Sequence, residues 1–438
     1  GNAFTREFGG RNWLDARRDA QCFEGREPEV IVVGGGQAGL SVAARLTHLG
    51  LDTLLIERNE RIGDNWRNRY HSLTLHNEVF VNHLPFMKFP STWPTYIPKD
   101  MLAAWLDQYV TSMEINCWTM TSLAKGTYDN KKKRWDLVLH KNGETKHIHP
   151  QHVVMATGVS AIPVTPSFNN IERFEGCIMH SAHYKDSRKW RGKRALIVGT
   201  GNSAHDVAHD LYEGGAKVTM LQRSPTHIVS LSEAQRVYAL YNEGHSLEDC
   251  DLLATSFPFP ILKKNYKQTT AISKTNDAEL LEKLSNVGFE LSDGIDDCGF
   301  QMSYLQRGGG YYFNVGCSDL IADKKISLIH SRDIRTFVPE GLQTIDNVVH
   351  PFDLVVTATG YKSLRDTAGY FLGEDVAEKI GQVWGFDCGG ELANMWRPTP
   401  QPGLWFTAGS LAQCRIYSEY LALQIKQEVG KTEPAQIT

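Results

Sequence analysis

The chain has 438 residues, more than one ordinary domain, and its 46 Lys and Arg against 50 Asp and Glu give a formal charge of −4. That balance leaves no electrostatic footprint for nucleic acid or an anionic membrane, and no apolar run reaches the length of a membrane span. No two of the eight cysteines (Cys22, Cys117, Cys177, Cys250, Cys298, Cys317, Cys388 and Cys414) form a C-x-x-C pair, so a disulfide framework or a zinc site is not expected and reduced thiols in the cytoplasm are the default.

Gly1-Asn-Ala-Phe carries neither an initiator Met nor a signal-peptide core, which points to a truncated chain or a cloning scar. Residues 1 to 28 read as an extension with a short helix over Trp13 to Phe23, whose Trp13, Leu14 and Phe23 pack against the body. Val30 to Val33 then suit a strand buried on both faces, and a glycine turn follows at once. Gly34, Gly36 and Gly39 fit G-x-G-x-x-G, and Leu40, Ala43, Ala44 and Leu46 recur at helical spacing from about Gln37. Gly34 permits the tight turn, Gly36 lets backbone approach a pyrophosphate, and Gly39 brings helix and strand together. The pyrophosphate belongs on the helix N-terminus, where unpaired N–H groups point outward. Glu57 ends the next strand, twenty-three residues after Gly34, where a carboxylate accepts hydrogen bonds from ribose hydroxyls and disfavours a 2′-phosphate. The first nucleotide is therefore FAD or NAD.

From Arg58 to Pro98 the sequence leaves regular structure, and Asp100 then caps a helix running to about Met113. Arg134–His140 and Glu144–His149 alternate at period two around Asn142-Gly143, which predicts a hairpin within a small β-meander. His152-Val-Val-Met-Ala-Thr-Gly158 reads as a strand returning to the sheet, and Pro163 and Pro166 mark the first domain boundary.

A second nucleotide unit opens at Arg194-Ala-Leu-Ile-Val-Gly-Thr-Gly-Asn-Ser-Ala204, a strand, a G-x-G-x-x-A turn and a helix with Ala204, Val207, Ala208 and Leu211 on its apolar stripe. Its following strand, Lys217–Gln222, ends in Arg223-Ser224, which suits a 2′-phosphate and so prefers NADPH. Residues 231 to 316 are irregular and mostly helical, and Arg307-Gly-Gly-Gly310 reads equally as a mobile loop or a turn between helices. Ile326–Ile329 is a strand, and Arg335 to His350 forms a second hairpin. Phe352–Gly360 repeats the Val-Val-x-Ala-Thr-Gly of residues 153–158 and is taken as the return to the first domain. Leu404–Gly409 is a last strand, and Ser410 caps a helix through Leu423 that can aim its positive end at a ring system anionic on reduction. The fold class is α/β, with two Rossmann-like dinucleotide-binding domains and a small β-meander. The expected boundaries are an extension at 1–28, a discontinuous FAD-binding domain at 29–165 and 335–438, and an inserted NADPH-binding domain at 166–334.

An acid in one unit and an arginine in the other imply two different cofactors with hydride passing between them. Disulfide reductases share this arrangement but need a paired-cysteine motif, which is missing, so O2 becomes the leading electron acceptor. Phe174-Glu-Gly-Cys-Ile-Met-His180-Ser-Ala-His-Tyr184 reads F-x-G-x-x-x-H-x-x-x-Y and resembles the fingerprint of flavin-containing monooxygenases, placed just before the second glycine turn. The resemblance covers about Glu29 to Gly430 and is nearest to the YUCCA-like and microbial branch, through Leu73-Thr-Leu-His76, Gly199-Thr-Gly-Asn-Ser203 and Ala358-Thr-Gly-Tyr361.

The resemblance implies that NADPH reduces FAD, O2 adds to the reduced flavin, and a hydroperoxyflavin transfers one oxygen atom to a small organic substrate at N or S or by a YUCCA-like oxidation of a 2-oxo acid. It implies that Gly34, Gly36, Gln37, Ala38, Gly39 and Glu57 hold FAD, that Asn65, Trp66, His76 and Asn77 line the flavin with His76 and Asn77 as its catalytic neighbours, and that Gly199, Gly201, Asn202, Ser203, Ala204, Arg223 and Ser224 hold NADPH. His180 is read as a structural link between the domains. Tyr184 stands where Baeyer–Villiger enzymes of the superfamily carry tryptophan, a departure that argues for heteroatom or YUCCA-like oxygenation; the Baeyer–Villiger reaction stays an alternative, together with an NADPH oxidase releasing peroxide and a catalytically idle FAD-binding protein. The expected partners are a small-molecule substrate and O2, with no nucleic acid, no membrane span and homo-oligomerisation left open.

Overall fold

Val30–Val33 and Arg194–Val198 are apolar runs that only a sheet covered on both faces accepts, and each becomes the central strand of a five-stranded parallel sheet. The computed structural model describes residues 12–432. In the first sheet the order is Leu404–Phe406, His152–Met155, Val30–Val33, Thr53–Ile56 and Cys117–Trp118. In the second it is Cys177–His180, Leu354–Thr357, Arg194–Val198, Lys217–Gln222 and Ser327–His330. The two orders are the same pattern: the glycine-turn strand lies third, its βαβ partner fourth, and a Val-Val-x-Ala-Thr-Gly strand second.

That correspondence corrects one expectation. Leu354–Thr357 pairs with Arg194–Val198 and Cys177–His180, so it belongs to the second sheet and the return to the first falls after Thr357. The repeated motif marks an equivalent position in each unit, because its backbone closes the floor of each glycine turn. A Cβ on Gly34 would sit 2.5 Å from the Ala156 oxygen, and one on Gly199 2.6 Å from the Ala358 oxygen.

The helix after the first turn starts at Gln37 as predicted and runs to His48, and its counterpart spans Asn202–Glu213. The meander is Thr121–Asp129, Arg134–Lys141 and Glu144–Ile148, all antiparallel. Asn142 and Gly143 both have positive φ, 50° and 84°, as a two-residue hairpin turn of primed type requires.

Several local details differ from the sequence reading. Pro98, not Asp100, is the N-cap of the helix Lys99–Ser112, and Asp100 lies in its first turn. The helix Trp13–Cys22 leaves Trp13 and Leu14 exposed, while Phe23 beyond it is buried against Trp118. The segment 58–98 holds two short strands, Thr74–Glu78 and Tyr96–Pro98, which pair antiparallel. Arg307–Gly310 is a turn: Gly308 takes the left-handed conformation that ends the helix Gly299–Arg307, and the strand Tyr311–Asn314 follows. The C-terminal helix runs from Leu411 to Thr432, well past Leu423. Among the described residues no helix is long and apolar enough to cross a membrane.

Between the strands Lys217–Gln222 and Ser327–His330 of the second sheet, residues 231–316, with the helices Leu247–Thr255, Phe259–Asn276 and Gly299–Arg307, form an inserted segment clipped to the first unit. The clip is Arg415, only 4% exposed. Its guanidinium donates to both oxygens of Asp251 at 2.7 and 2.6 Å and to the carbonyls of Val81 and His83 at 2.8 and 2.6 Å. A buried guanidinium is tolerable only when its donors are met in this way.

Candidate cofactor site

The first glycine turn opens onto a cavity of about 400 Å³. Its wall includes Gly34, Gly36, Gln37 and Ala38 from the turn, Glu57 and Asn59 from the end of the next strand, and Thr121 to Leu123 from the meander. Beyond the turn it continues past Asn65, Trp66, Thr157 to Ile162, Tyr361, Ala408 and Gly409. The turn is sterically fixed. A Cβ on Gly39 would lie 1.9 Å from the Gly34 oxygen, so only glycine lets helix and strand meet there.

Glu57 is 6% exposed, and each of its carboxylate oxygens is engaged. Oε2 accepts from the Gly35 N–H at 2.8 Å, while Oε1 accepts from the Asn59 backbone N–H at 2.8 Å and its Nδ2 at 2.6 Å. Oε2, which accepts only one bond, keeps acceptor capacity toward a ribose hydroxyl.

Three buried polar atoms in the cavity residues find no partner among the described residues: Asn65 Oδ1, Trp66 Nε1 and Thr157 Oγ1. A buried polar atom without a partner is costly, so these atoms fit a bound polar ring system and phosphate chain. The residues present therefore suit FAD. No thiol competes with it chemically. Burial pushes the Cys117 thiol up to about 12, helped by the nearby Glu57 and Asp107 charges, and every cysteine is free. Among the described residues no group of three or more His, Cys, Asp or Glu is placed to hold a metal ion.

His76 and Asn77 do not line this cavity. They lie on the strand Thr74–Glu78, which reaches toward the second unit. His76 Nε2 is 4.0 Å from Asp206 on the second nucleotide helix, and its ring packs edge-on against Phe313 at 5.7 Å. Asp206 accepts the Tyr70 hydroxyl at 2.5 Å, and burial raises its pKa. Asn77 donates through Nδ2 to the Tyr238 hydroxyl at 3.2 Å.

In the second unit Gly199 has φ 120°, and Gly201 caps the helix that begins with Asn202, Ser203 and Ala204. Asn202 Oδ1 accepts from the Phe313 N–H at 3.0 Å, which ties this turn to the inserted segment. Arg223 and Ser224 are exposed at the strand end, and no carboxylate engages Arg223 among the described residues. Its guanidinium is therefore available to an anion. His180 is 5% exposed, with Nε2 on the Gly360 oxygen at 3.2 Å, Nδ1 accepting from the Ala182 N–H at 3.1 Å, and burial lowering its pKa. Both ring nitrogens are used in bridging the fingerprint to the strand end at Gly360, a structural role. Tyr184, the last fingerprint residue, donates to Asp210 at 2.5 Å.

Motif reading missed the walls contributed by Thr121 to Leu123, Thr157 to Ile162, Tyr361 and Gly409. The repeated Ala-Thr-Gly carried a usable signal for two of them, since it precedes both Val159 and Tyr361.

The sequence profile of the pyridine nucleotide-disulphide oxidoreductase family matches residues 31–240. An indole-3-pyruvate monooxygenase, YUCCA1 of Oryza sativa subsp. japonica, is 26% identical over 358 residues, 80% of this chain and 82% of that protein. Two solved structures share the fold. The flavin-containing monooxygenase from Stenotrophomonas maltophilia superposes with a TM-score of 0.63 at 18% identity, covering 92% of this chain and 99% of that one. Cyclohexanone monooxygenase from Rhodococcus sp. Phi1, bound to NADP+, gives 0.64 at 16% identity, with 92% and 84% covered.

Paired parallel sheets with a glycine turn in each, and no thiol pair beside either, define a two-nucleotide flavoprotein oxidoreductase that uses a pyridine nucleotide. Within that class the chain is an FAD-dependent, NADPH-utilising monooxygenase, similar over most of its length to the YUCCA enzyme and in fold to flavin-containing monooxygenases, a likeness that its fingerprint at Phe174 to Tyr184 anticipates.

Proposed function

We propose that this monooxygenase consumes NADPH and O2 to transfer one oxygen atom to a small organic substrate, with an aromatic 2-oxo acid as the first substrate class. The other oxygen atom leaves as water. For a 2-oxo acid the balance is acid, O2, NADPH and a proton in, and the shortened carboxylic acid, CO2, NADP+ and water out. The observation that carries the reading is the pair of unequal handles: a buried carboxylate at Glu57 beside a cavity with three orphaned polar atoms, and a free guanidinium at Arg223. The naming of the YUCCA relative favours the 2-oxo acid over an amine or sulfide.

When bound, FAD supplies the two-electron carrier and the centre that reacts with O2. The chain's own residues do the rest. Gly34, Gly36, Gln37 and Ala38 offer backbone to the pyrophosphate, Gly39 keeps helix and strand close, and Glu57 accepts from the ribose. That direction leaves Asn65, Trp66, Ala408 and Gly409 for the ring end. Gly199, Gly201, Asn202, Ser203 and Ala204 take the second pyrophosphate, while Arg223 and Ser224 grip the 2′-phosphate. His76 and Asn77 stand outside the FAD cavity, on the strand Thr74–Glu78 that faces the second unit. Asn77 is held through Tyr238, and His76 faces the Asp206 carboxylate.

The test is NADPH consumption by the purified holoenzyme with indole-3-pyruvate, a simple amine, a sulfide and a cyclic ketone, with peroxide and CO2 measured in each. The proposal expects faster NADPH oxidation and CO2 release with the 2-oxo acid only. Stimulation by the amine or sulfide moves the substrate class to N or S oxygenation, a lactone from the ketone makes the enzyme Baeyer–Villiger, and peroxide alone in stoichiometric yield overturns oxygen transfer.

A further inference from the structure

Tyr304 lies on the inserted helix Gly299–Arg307, far in sequence from the first unit, yet its hydroxyl reaches the start of the C-terminal helix. It donates to Gln413 Oε1 at 2.6 Å and accepts from the Ser410 N–H at 3.0 Å. Gln413 closes the same ring: its Oε1 also accepts from the Ser410 N–H at 3.2 Å, and its own N–H donates to Ser410 Oγ at 3.2 Å. The phenol is anchored behind by Trp384, whose Nε1 donates to the Tyr304 carbonyl at 3.0 Å with the two rings 5.4 Å apart. Burial drives the Tyr304 pKa well above its ordinary value, so the hydroxyl keeps its proton and both bonds.

What this cluster holds is a cavity wall. Gly409, next to Ser410, lines the flavin cavity, has φ 113°, and receives Gln37 Nε2 on its carbonyl at 3.2 Å. A Cβ there would lie 2.5 Å from Gln413 Oε1, so the turn and the cluster fit one another closely. Beyond the turn, Leu411 and Ala412 are the first two residues of the helix, where backbone N–H groups have no i−4 carbonyl of the helix to bond. These donors lie at the positive end of a 22-residue helix, beside a cavity that already holds the orphaned Asn65 Oδ1 and Trp66 Nε1.

We propose that Tyr304 is a positioning residue through which the inserted segment fixes the Gly409–Ser410 turn, and thereby the helix end that stabilises the reduced flavin. The inference rests on the FAD placement proposed above. Its physical basis is that the reduced ring carries negative charge, and fixed donors stabilise charge only where they are already aimed. Removing the hydroxyl leaves Gln413 alone on Ser410, loosens the turn, and withdraws these N–H groups.

The experiment is the two-electron midpoint potential of the bound flavin, titrated against a reference dye in wild-type holoenzyme, Tyr304→Phe, Gln413→Leu and the double variant. The expected result is about a tenfold loss of preference for the reduced form in Tyr304→Phe, which is a potential lower by about 30 mV. Gln413→Leu shifts in the same direction, and the double variant shifts no further than the larger single one. Flavin retained at the wild-type potential in both single variants overturns the inference and leaves the FAD placement intact. Should Tyr304→Phe fail to fold, Gln413→Leu decides alone by the same criterion. Wild-type protein that binds no flavin instead overturns the placement.

Discussion

The two glycine turns are built on one plan and finished in opposite ways. In the first, the acidic handle Glu57 is buried and already bonded to Gly35 and Asn59, and the helix packs so closely that Gly39 has no room for a methyl group. In the second, the corresponding helix position is Ala204, and the handle Arg223 stands exposed and unpaired among the described residues. A preformed and enclosed site suits a cofactor that stays, and an open site with a waiting charge suits one that arrives with each turnover. The inserted segment then ties the two together through Arg415 with Asp251, Tyr304 with Gln413, and Tyr238 with Asn77.

The contrast can be broken most severely at Gly39. Gly39→Ala places a carbon inside the Gly34 carbonyl and is expected to give protein without flavin or no folded protein at all, read from the visible spectrum and thermal unfolding. Next in size, Glu57→Ala strips the acceptor from Gly35 and Asn59 as well as from the ribose. Leaving buried donors unpaired costs about 1–3 kcal/mol, so FAD affinity should fall by about 10- to 100-fold in a reconstitution titration. Arg223→Ala acts on an exposed group and is milder: the KM for NADPH should rise about tenfold while that for NADH stays put.

Acid affects both units alike. His152 in the first sheet and His205 in the second nucleotide helix are each lowered by burial from 6.5 to about 4. Between these values the unfolded chain binds more protons, so stability is full above about pH 6.5 and falls as pH drops toward 4. Thermal unfolding across that range checks it, and His205→Gln should flatten the slope. Smallest of all, Ala204→Gly should cost about 0.5–1 kcal/mol of stability and leave NADPH use intact, the reverse of what Gly39→Ala does.

Much of this was legible before any coordinates. Strand, turn and helix order at Val30 and Arg194 and the Asn142-Gly143 hairpin follow from local rules that the fold respects, whereas His180, read as a link between the domains, bonds to Ala182 and Gly360 at the strand ends of the second sheet. The placement of Leu354–Thr357 was misread because a parallel strand carries no sign of its neighbour. The repeat of residues 153–158 at 355–360 was the clue, and it meant equivalence between units rather than return to the first. The cavity walls at Thr121 to Leu123 and at Gly409 are set by chain crossings far apart in sequence, which spacing cannot report. The same holds for Tyr304 on Ser410, a contact across more than a hundred residues.

The central claim is that one chain keeps FAD in the closed turn and takes NADPH at the open one. Anaerobic rapid mixing of the purified protein with NADPH and, separately, NADH tests it most directly through the flavin absorbance. The account predicts yellow protein whose flavin NADPH bleaches much faster than NADH does. Colourless protein, or equal bleaching rates with the two coenzymes, would contradict it.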